Sequence, residues 1–373
     1  MGNSTPSPYV SSPPMTSPSP TDTASSSSQR TNIQRLHRIL LGQPVSIRTY
    51  DLLTDDHPYR WFDKREQLQF KAWLRGLSFV GLLTAGMLVL GFVGAIIAGF
   101  AFAPSVLDES WISALNEGSR LSPTSPPMVI SSVAQLLATI IAYMVVVKVM
   151  EQRRHPLELA PSRMFDVVRG IIAALVCISV SIGIIALLGG YRIVGFDATY
   201  SPWIDLLVMG LVAGISEELM MRGILLRLIE EWLGSWGAVV ISALVFGLMH
   251  LSNADGTLWG GIAIAIEAGL LFGAIYLATR SLWWCIGFHF MWNIAEGPIY
   301  GSVVSGNGAQ RSWLVAQWSG PEWLTGGTFG LEASIVPVIL LGGLAIALLI
   351  HLHMTGRMIE PAFIRKRKLG VTA

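Results

Sequence analysis

From Leu77 onward the chain carries apolar runs long enough to cross a bilayer, at 77–103, 128–148, 167–189, 203–228, 235–251, 257–279, 282–300 and 333–354. A hydrocarbon core of ~30 Å takes roughly 20 helical residues, and only helices or closed barrels satisfy their backbone groups inside lipid. Eight helical runs of this kind predict an all-α polytopic membrane protein with about eight transmembrane helices. Composition agrees: charged residues are 13% of the chain, against about a quarter in soluble domains. Membrane lipids are therefore the expected surroundings. A net charge of +1 provides no global field to attract nucleic acid, and no such partner is expected.

Basic residues then report orientation. Lys71 and Arg75 precede the first run, Lys148, Arg153, Arg154, Arg163 and Arg169 lie around the second and third, and Arg365, Lys366, Arg367 and Lys368 follow the last. The alternate loops, Asp108 to Arg120, Gly190 to Tyr200 and Gly301 to Glu332, are poor in them. The positive-inside bias places both termini in the cytosol, as an even number of crossings requires. The expected organisation is a multi-pass cell-membrane protein. It has a disordered Ser/Thr/Pro-rich tail over 1–30, a basic juxtamembrane segment or linker over 31–75, a helical membrane domain over 77–354 and a basic cytosolic tail over 355–373. Cys177 and Cys285 lie inside apolar runs and read as small core residues. Gly210 with Gly214 and Gly269 with Gly273 let backbones approach, marking the fourth and sixth runs as interior.

Inside the apolar second half sit groups that lipid does not tolerate. The fourth run contains Glu217, Glu218 and Arg222, and each charge near a span's middle costs roughly 2.5 to 3.5 kcal/mol on insertion scales. Glu218 and Arg222 are four apart with the acid first, the favourable order for an ion pair along one helix face. Glu217 points about 100° away and has no such partner in its own helix. The fifth run ends with Phe246 and His250 on one face, and the seventh carries His289 and Asn293 on one face. Of the seven histidines, only His250 and His289 lie well inside spans rather than in tails, loops or the end of a helix. Mutual satisfaction of polar groups from three neighbouring helices predicts that they converge. Counted along the helices, Glu217 and His289 come out nearer the cytosolic side and His250 nearer the opposite face. Glu296 shares the face of His289 and Asn293 and reads as an interfacial carboxylate or an extension of the cavity. Glu267, midway along the sixth run, is a possible acceptor near the site or part of a separate helix contact.

These residue types suit hydrolysis by an activated water. Burial favours a carboxylate as base, and Glu217, without an in-helix cation, is the better candidate. His250 is placed to orient the same water, His289 and Asn293 to donate to an oxyanion, and Arg222 to hold Glu218. No cofactor is needed; the alternative is a divalent metal such as zinc held by Glu217, His250 and His289. HExxH, GxGD and GxSG are all missing, so a zincin or site-2 metalloprotease, a presenilin-like or a rhomboid arrangement is not expected.

The ordered set EExxxR at 217–222, FxxxH at 246–250 and HxxxN at 289–293 resembles the motifs of the CPBP family, also called Abi, within a core at 203–300. This family includes type II CAAX prenyl proteases and proteins linked to bacteriocin maturation and self-immunity. The resemblance implies a glutamate-dependent intramembrane endopeptidase acting on a membrane-associated or lipidated peptide. In it Glu217 and His250 would activate water and His289 with Asn293 would stabilise the oxyanion. A noncatalytic immunity or adaptor protein of the same fold, and a transporter, are the alternatives.

Overall fold

The computed structural model describes residues 70–102, 126–151, 153 and 156–368. The tail over 1–30, nearly all of the 31–75 segment, most of the first loop and the last five residues lie outside this range. Helix α1 (Ala72–Phe102) and α2 (Pro126–Val145, extended by a wider turn at Val146–Met150) form an antiparallel pair, followed by α3 (Asp166–Leu187) and the short strand β1 (Tyr191–Phe196). The helical run Trp203–Ser252 comes next. It is broken at Gly234, whose φ of 72° and ψ of 179° are not helical. We treat its limbs as α4 (203–233) and α5 (235–252). A side chain at 234 would be strained by the positive φ and would meet the Ile359 carbonyl at 2.5 Å. Helix α6 (Leu258–Thr279), α7 (Leu282–Ile294), strand β2 (Leu314–Trp318), α8 (Ile335–Met354) and the short α9 (Ala362–Lys368) complete the order.

Among the described residues, six helical segments are long and apolar enough to cross a membrane. Their surfaces explain why: Leu88, Val89 and Phe92 of α1, Ile172 and Val176 of α3, and Ile339 and Ile346 of α8 point outward, where lipid would cover them. Helix α7 is almost wholly enclosed and packs most extensively on α3. Glycine permits that approach, since a Cβ on Gly170 would collide with backbone at Trp284 and Phe288, and one on Gly287 with Val167. The two GxxxG steps also lie at contacts. A Cβ at Gly214 would come within 3.3 Å of the Phe290 nitrogen on α7, and one at Gly269 within 2.7 Å of Ala243 Cα on α5. Cys285 is buried, as expected for a core residue, whereas Cys177 is only half-buried; both are free.

Two features fall outside a purely helical expectation. Strands β1 and β2 pair antiparallel, with Tyr191 opposite Trp318 and an irregularity between Ile193 and Gly195. They join the end of α3 to the long loop after α7. At the other end of the bundle, Arg75, Glu151, Arg153, Glu158 and Arg227 form a buried ion-pair network. Glu151 accepts from Arg75 (2.8 Å), Arg153 (2.9 Å) and Arg227 (2.6 Å), while Glu158 accepts from Arg153 (2.8 Å) and Tyr143 (2.6 Å). Arg75 also pairs with Glu231. Burial alone would push the Glu158 carboxyl up, but the Arg153 charge and hydrogen bonds outweigh it and hold it down at about 2. Removing one member of such a network leaves partners charged and dry. Glu151→Gln is expected to cost about 3–5 kcal/mol, read as a lower melting temperature in detergent. An unchanged melting temperature would show the network to be dispensable.

Candidate functional site

The peptide geometry of α4 sets up the site. Its backbone is π-wound over Leu206–Val212, α-helical over Ala213–Glu218 and π-wound again over Leu219–Leu226. Single π-turns often mark functional positions because they re-aim side chains without ending the helix. Glu217 and Glu218, about 100° apart on this segment, therefore meet different surroundings. The Glu217 side chain keeps 22% of its surface exposed, whereas Glu218 keeps none. Only Glu217 is open to an incoming molecule.

Glu218 is held from behind by Arg222. Its Oε1 accepts from Arg222 Nη1 at 2.9 Å and from His289 Nδ1 at 3.0 Å. Arg222 also donates to the Ala268 and Gly269 carbonyls on α6 (3.0 and 3.3 Å). Its guanidinium lies over the rings of Phe246 and Phe272, 5.0 and 5.1 Å from their centroids. Cation–π contact, the ion pair with Glu218 and the two carbonyl hydrogen bonds compensate a buried charge that lipid would reject, while Arg222 Nε keeps no hydrogen-bond partner. This gives Phe246 of the FxxxH motif a physical task, since it covers Arg222 and meets the His250 and His289 rings edge-on at 4.7 and 6.2 Å.

His289 links the two glutamates. With Nδ1 on Glu218, its Nε2 faces Glu217 Oε2 at 3.8 Å, too long for a hydrogen bond. That oxygen is buried and has no hydrogen-bond partner. His250, in the closing turn of α5, bonds through Nδ1 to the Phe246 carbonyl at 2.8 Å. Asn293 Nδ2 donates to the Met209 carbonyl on α4 at 2.9 Å. Glu217, His250, His289 and Asn293 line one cavity of about 340 Å³, while Glu218 and Arg222 form its buried support. The depth count along the helices is thereby corrected. Helix α4 runs to 233 rather than 228, so Glu217 lies near its middle. His250 lies in the tighter closing turn of α5, His250–Ser252, and meets the others in one cavity.

Sequence reading missed much of the cavity wall. Met128, Ser132 and Gln135 of α2, Asn253 after α5, and Val304, Ser305 and Asn307 of the loop after α7 all contribute. Ser305 has a left-handed φ of 50°, rare for a residue with a side chain. Its hydroxyl donates to Glu332 at 2.6 Å and its carbonyl accepts from Asn253 at 2.7 Å. No local spacing announces these contacts, because they join loops far apart in sequence.

Glu296 is fully buried, which corrects its reading as an interfacial carboxylate: the helix continues as a π-turn over Ala295–Ile299 and carries it inward. Glu267 is likewise buried and both its oxygens lack hydrogen-bond partners. Both interact electrostatically with Glu332, whose carboxyl is pushed up by burial against the opposing Ser305 hydrogen bond and the nearby His250 and His289. Among the described residues no three His, Cys, Asp or Glu side chains form a group able to hold a metal ion. Glu217, His250 and His289 thus share a cavity without converging as a ligand set.

A family model described as "Type II CAAX prenyl endopeptidase Rce1-like" matches residues 199–295, consistent with the CPBP resemblance. The match contains all six residues above and leaves α1, α2, α3 and α8 outside it. No curated protein and no solved structure matches the chain. The match and the apolar helices together describe a multi-pass membrane protein with a CAAX-protease-like domain.

Proposed function

We propose that the chain is an intramembrane endopeptidase in which Glu217 activates water to cleave a peptide bond of a membrane-associated or lipidated substrate. The observation that carries this reading is the pairing of the partly exposed Glu217, one of whose oxygens has no hydrogen-bond partner, with a histidine whose other nitrogen is anchored by Glu218 and Arg222. A base needs an open lone pair, and an oxyanion donor needs a fixed direction. Glu217 takes a proton from water as its oxygen attacks the carbonyl carbon, then returns that proton to the leaving amine. His250, which lines the same cavity, orients the water. His289, as an imidazolium with Nδ1–H on Glu218 and Nε2–H toward the site, and the second amide hydrogen of Asn293 stabilise the oxyanion. The C–N bond breaks and one water is consumed, with no acyl-enzyme required.

In this reading the limbs of the bent run at Gly234 cross separately, and α7 with its π-turn makes a further crossing. Six candidate segments then become eight crossings with both termini cytosolic. No metal enters the mechanism.

With purified protein in nanodiscs and a fluorogenic peptide library, His289→Ala and Asn293→Ala are expected to lower kcat by about 10²-fold, the loss typical of an oxyanion donor, with a smaller change in KM. A larger effect on KM than on kcat would make them binding residues instead. Loss of activity to a chelator with recovery on Zn²⁺ would make Glu217 a metal ligand and overturn the carboxylate mechanism.

A further inference from the structure

The two ends of the bundle differ in charge, and the cavity lies wholly toward one of them. At one end are Arg75 at the start of α1, Lys148 after α2, Arg163 and Arg169 at the start of α3, Arg280 after α6 and Arg365 in α9. The ends are mutually fixed, since Arg163 donates to the Thr279 carbonyl at 2.7 Å and Arg365 to the Glu231 carbonyl at 3.1 Å. At the opposite end, among the described residues, the basic side chains are Arg192 on β1 and Arg311, the latter paired with Asp197 at 2.6 Å. The positive-inside bias assigns the first end to the cytosol.

The cavity is built from the other end. Its walls are the beginning of α2, the first half of α4, the end of α5, the second half of α7 and the loop that follows α7. Ser252 and Asn307, which line it, are themselves exposed on that side. Glu217 is the one carboxylate among its described lining residues, which include no lysine or arginine. The remaining polar groups are the neutral donors and acceptors of Ser132, Gln135, Ser252, Asn253, Ser305 and Asn307 along with the catalytic His250, His289 and Asn293. Such a lining offers hydrogen bonds to peptide amides and neither a lysine nor an arginine to clamp a terminal carboxylate.

We infer that the cavity opens away from the cytosol and takes an internal peptide segment presented at the non-cytosolic surface, rather than the free C-terminal end of a cytosolic protein. This rests on the peptidase reading for what happens to the peptide, but not for the side from which it enters. Orientation and chemistry are therefore tested separately.

Orientation is read with a membrane-impermeant maleimide on intact cells expressing the full chain with Cys177 and Cys285 replaced by alanine. Added singly, Ser252→Cys and Asn307→Cys are expected to label in intact cells. Arg367→Cys, on the basic end, is expected to label only after permeabilisation. Rim labelling only after permeabilisation would overturn the inference, and two rim positions guard against one misfolded variant. Chemistry is read in sealed vesicles with polar fluorogenic peptides that cannot cross the bilayer. Right-side-out vesicles should cleave them and inverted vesicles only after detergent, with amidated and free-acid peptides cleaved alike. Cleavage by sealed inverted vesicles would overturn the side of entry, and a strong preference for free-acid peptides would overturn the internal-segment assignment. Rim labelling from outside with no Glu217-dependent cleavage in any vesicle would support the opening while overturning the peptidase reading.

Discussion

Glu217→Gln is expected to yield a protein that inserts and melts as the parent does but has lost about 10²–10⁴-fold or more of its turnover, the range attributable to a positioned general base. The structural grounds for such a clean separation are local. Glu217 Oε2 has no hydrogen-bond partner, so the substitution breaks no buried bond, and the side chain is partly exposed, so the amide is tolerated. Glutamine keeps the shape and removes only the capacity to accept a proton. The measurements are initial rates in nanodiscs alongside thermal melting, with comparison of membrane and secreted peptides in cells carrying either form. Full turnover in Glu217→Gln would mean that the polar cluster is structural, and a biological role that survives the substitution would point to an adaptor of the same fold.

The neighbouring residue should behave differently. Glu218→Gln is expected to lower stability by about 3 kcal/mol as well as impair activity, because it leaves the buried Arg222 cation without its counter-charge. Glu218 is completely enclosed, and one of its oxygens serves both Arg222 and His289. Its loss therefore also frees the imidazole from its fixed direction. Adding Arg222→Met to Glu218→Gln removes the stranded charge and should restore part of the melting temperature without restoring turnover. If Glu218→Gln alone proved as stable as the parent, Arg222 would be adequately held by the Ala268 and Gly269 carbonyls and the two aromatic rings. Glu218 would then be reduced to positioning His289.

The contrast between these adjacent glutamates shows which parts of the site were legible in one dimension. The Glu218–Arg222 pair follows from an i,i+4 spacing, and the separation of Glu217 from it follows from 100° per residue; both are properties of any helix. The placement of His289 and Asn293 one turn apart is legible for the same reason. That His289 binds Glu218 through one nitrogen and faces Glu217 with the other depends on how α7 lies against α4. This contact is set by Gly210 and Gly214, where the Phe290 ring and backbone come close. The task of Phe246, the aromatic cover of Arg222, required α6 to bring Phe272 to the other side. Glu296 illustrates the converse, since its position near a helix end suggested the interface until the π-turn carried it inward.

What the chain determines by itself is thus what lipid and helix geometry impose: apolar runs that must become helices, and charges that must find protein partners. What only the tertiary structure decided depends on contacts between segments far apart. These are the ion-pair network joining Arg75, Glu151 and Arg227, the cavity wall supplied by Ser305 and Asn307, and the end of the bundle from which that cavity is built. The physical reason is range. Backbone hydrogen bonding and hydrophobic transfer act over a few residues and repeat with the helical period, whereas a cavity exists only where several helices and a distant loop fail to fill the space between them.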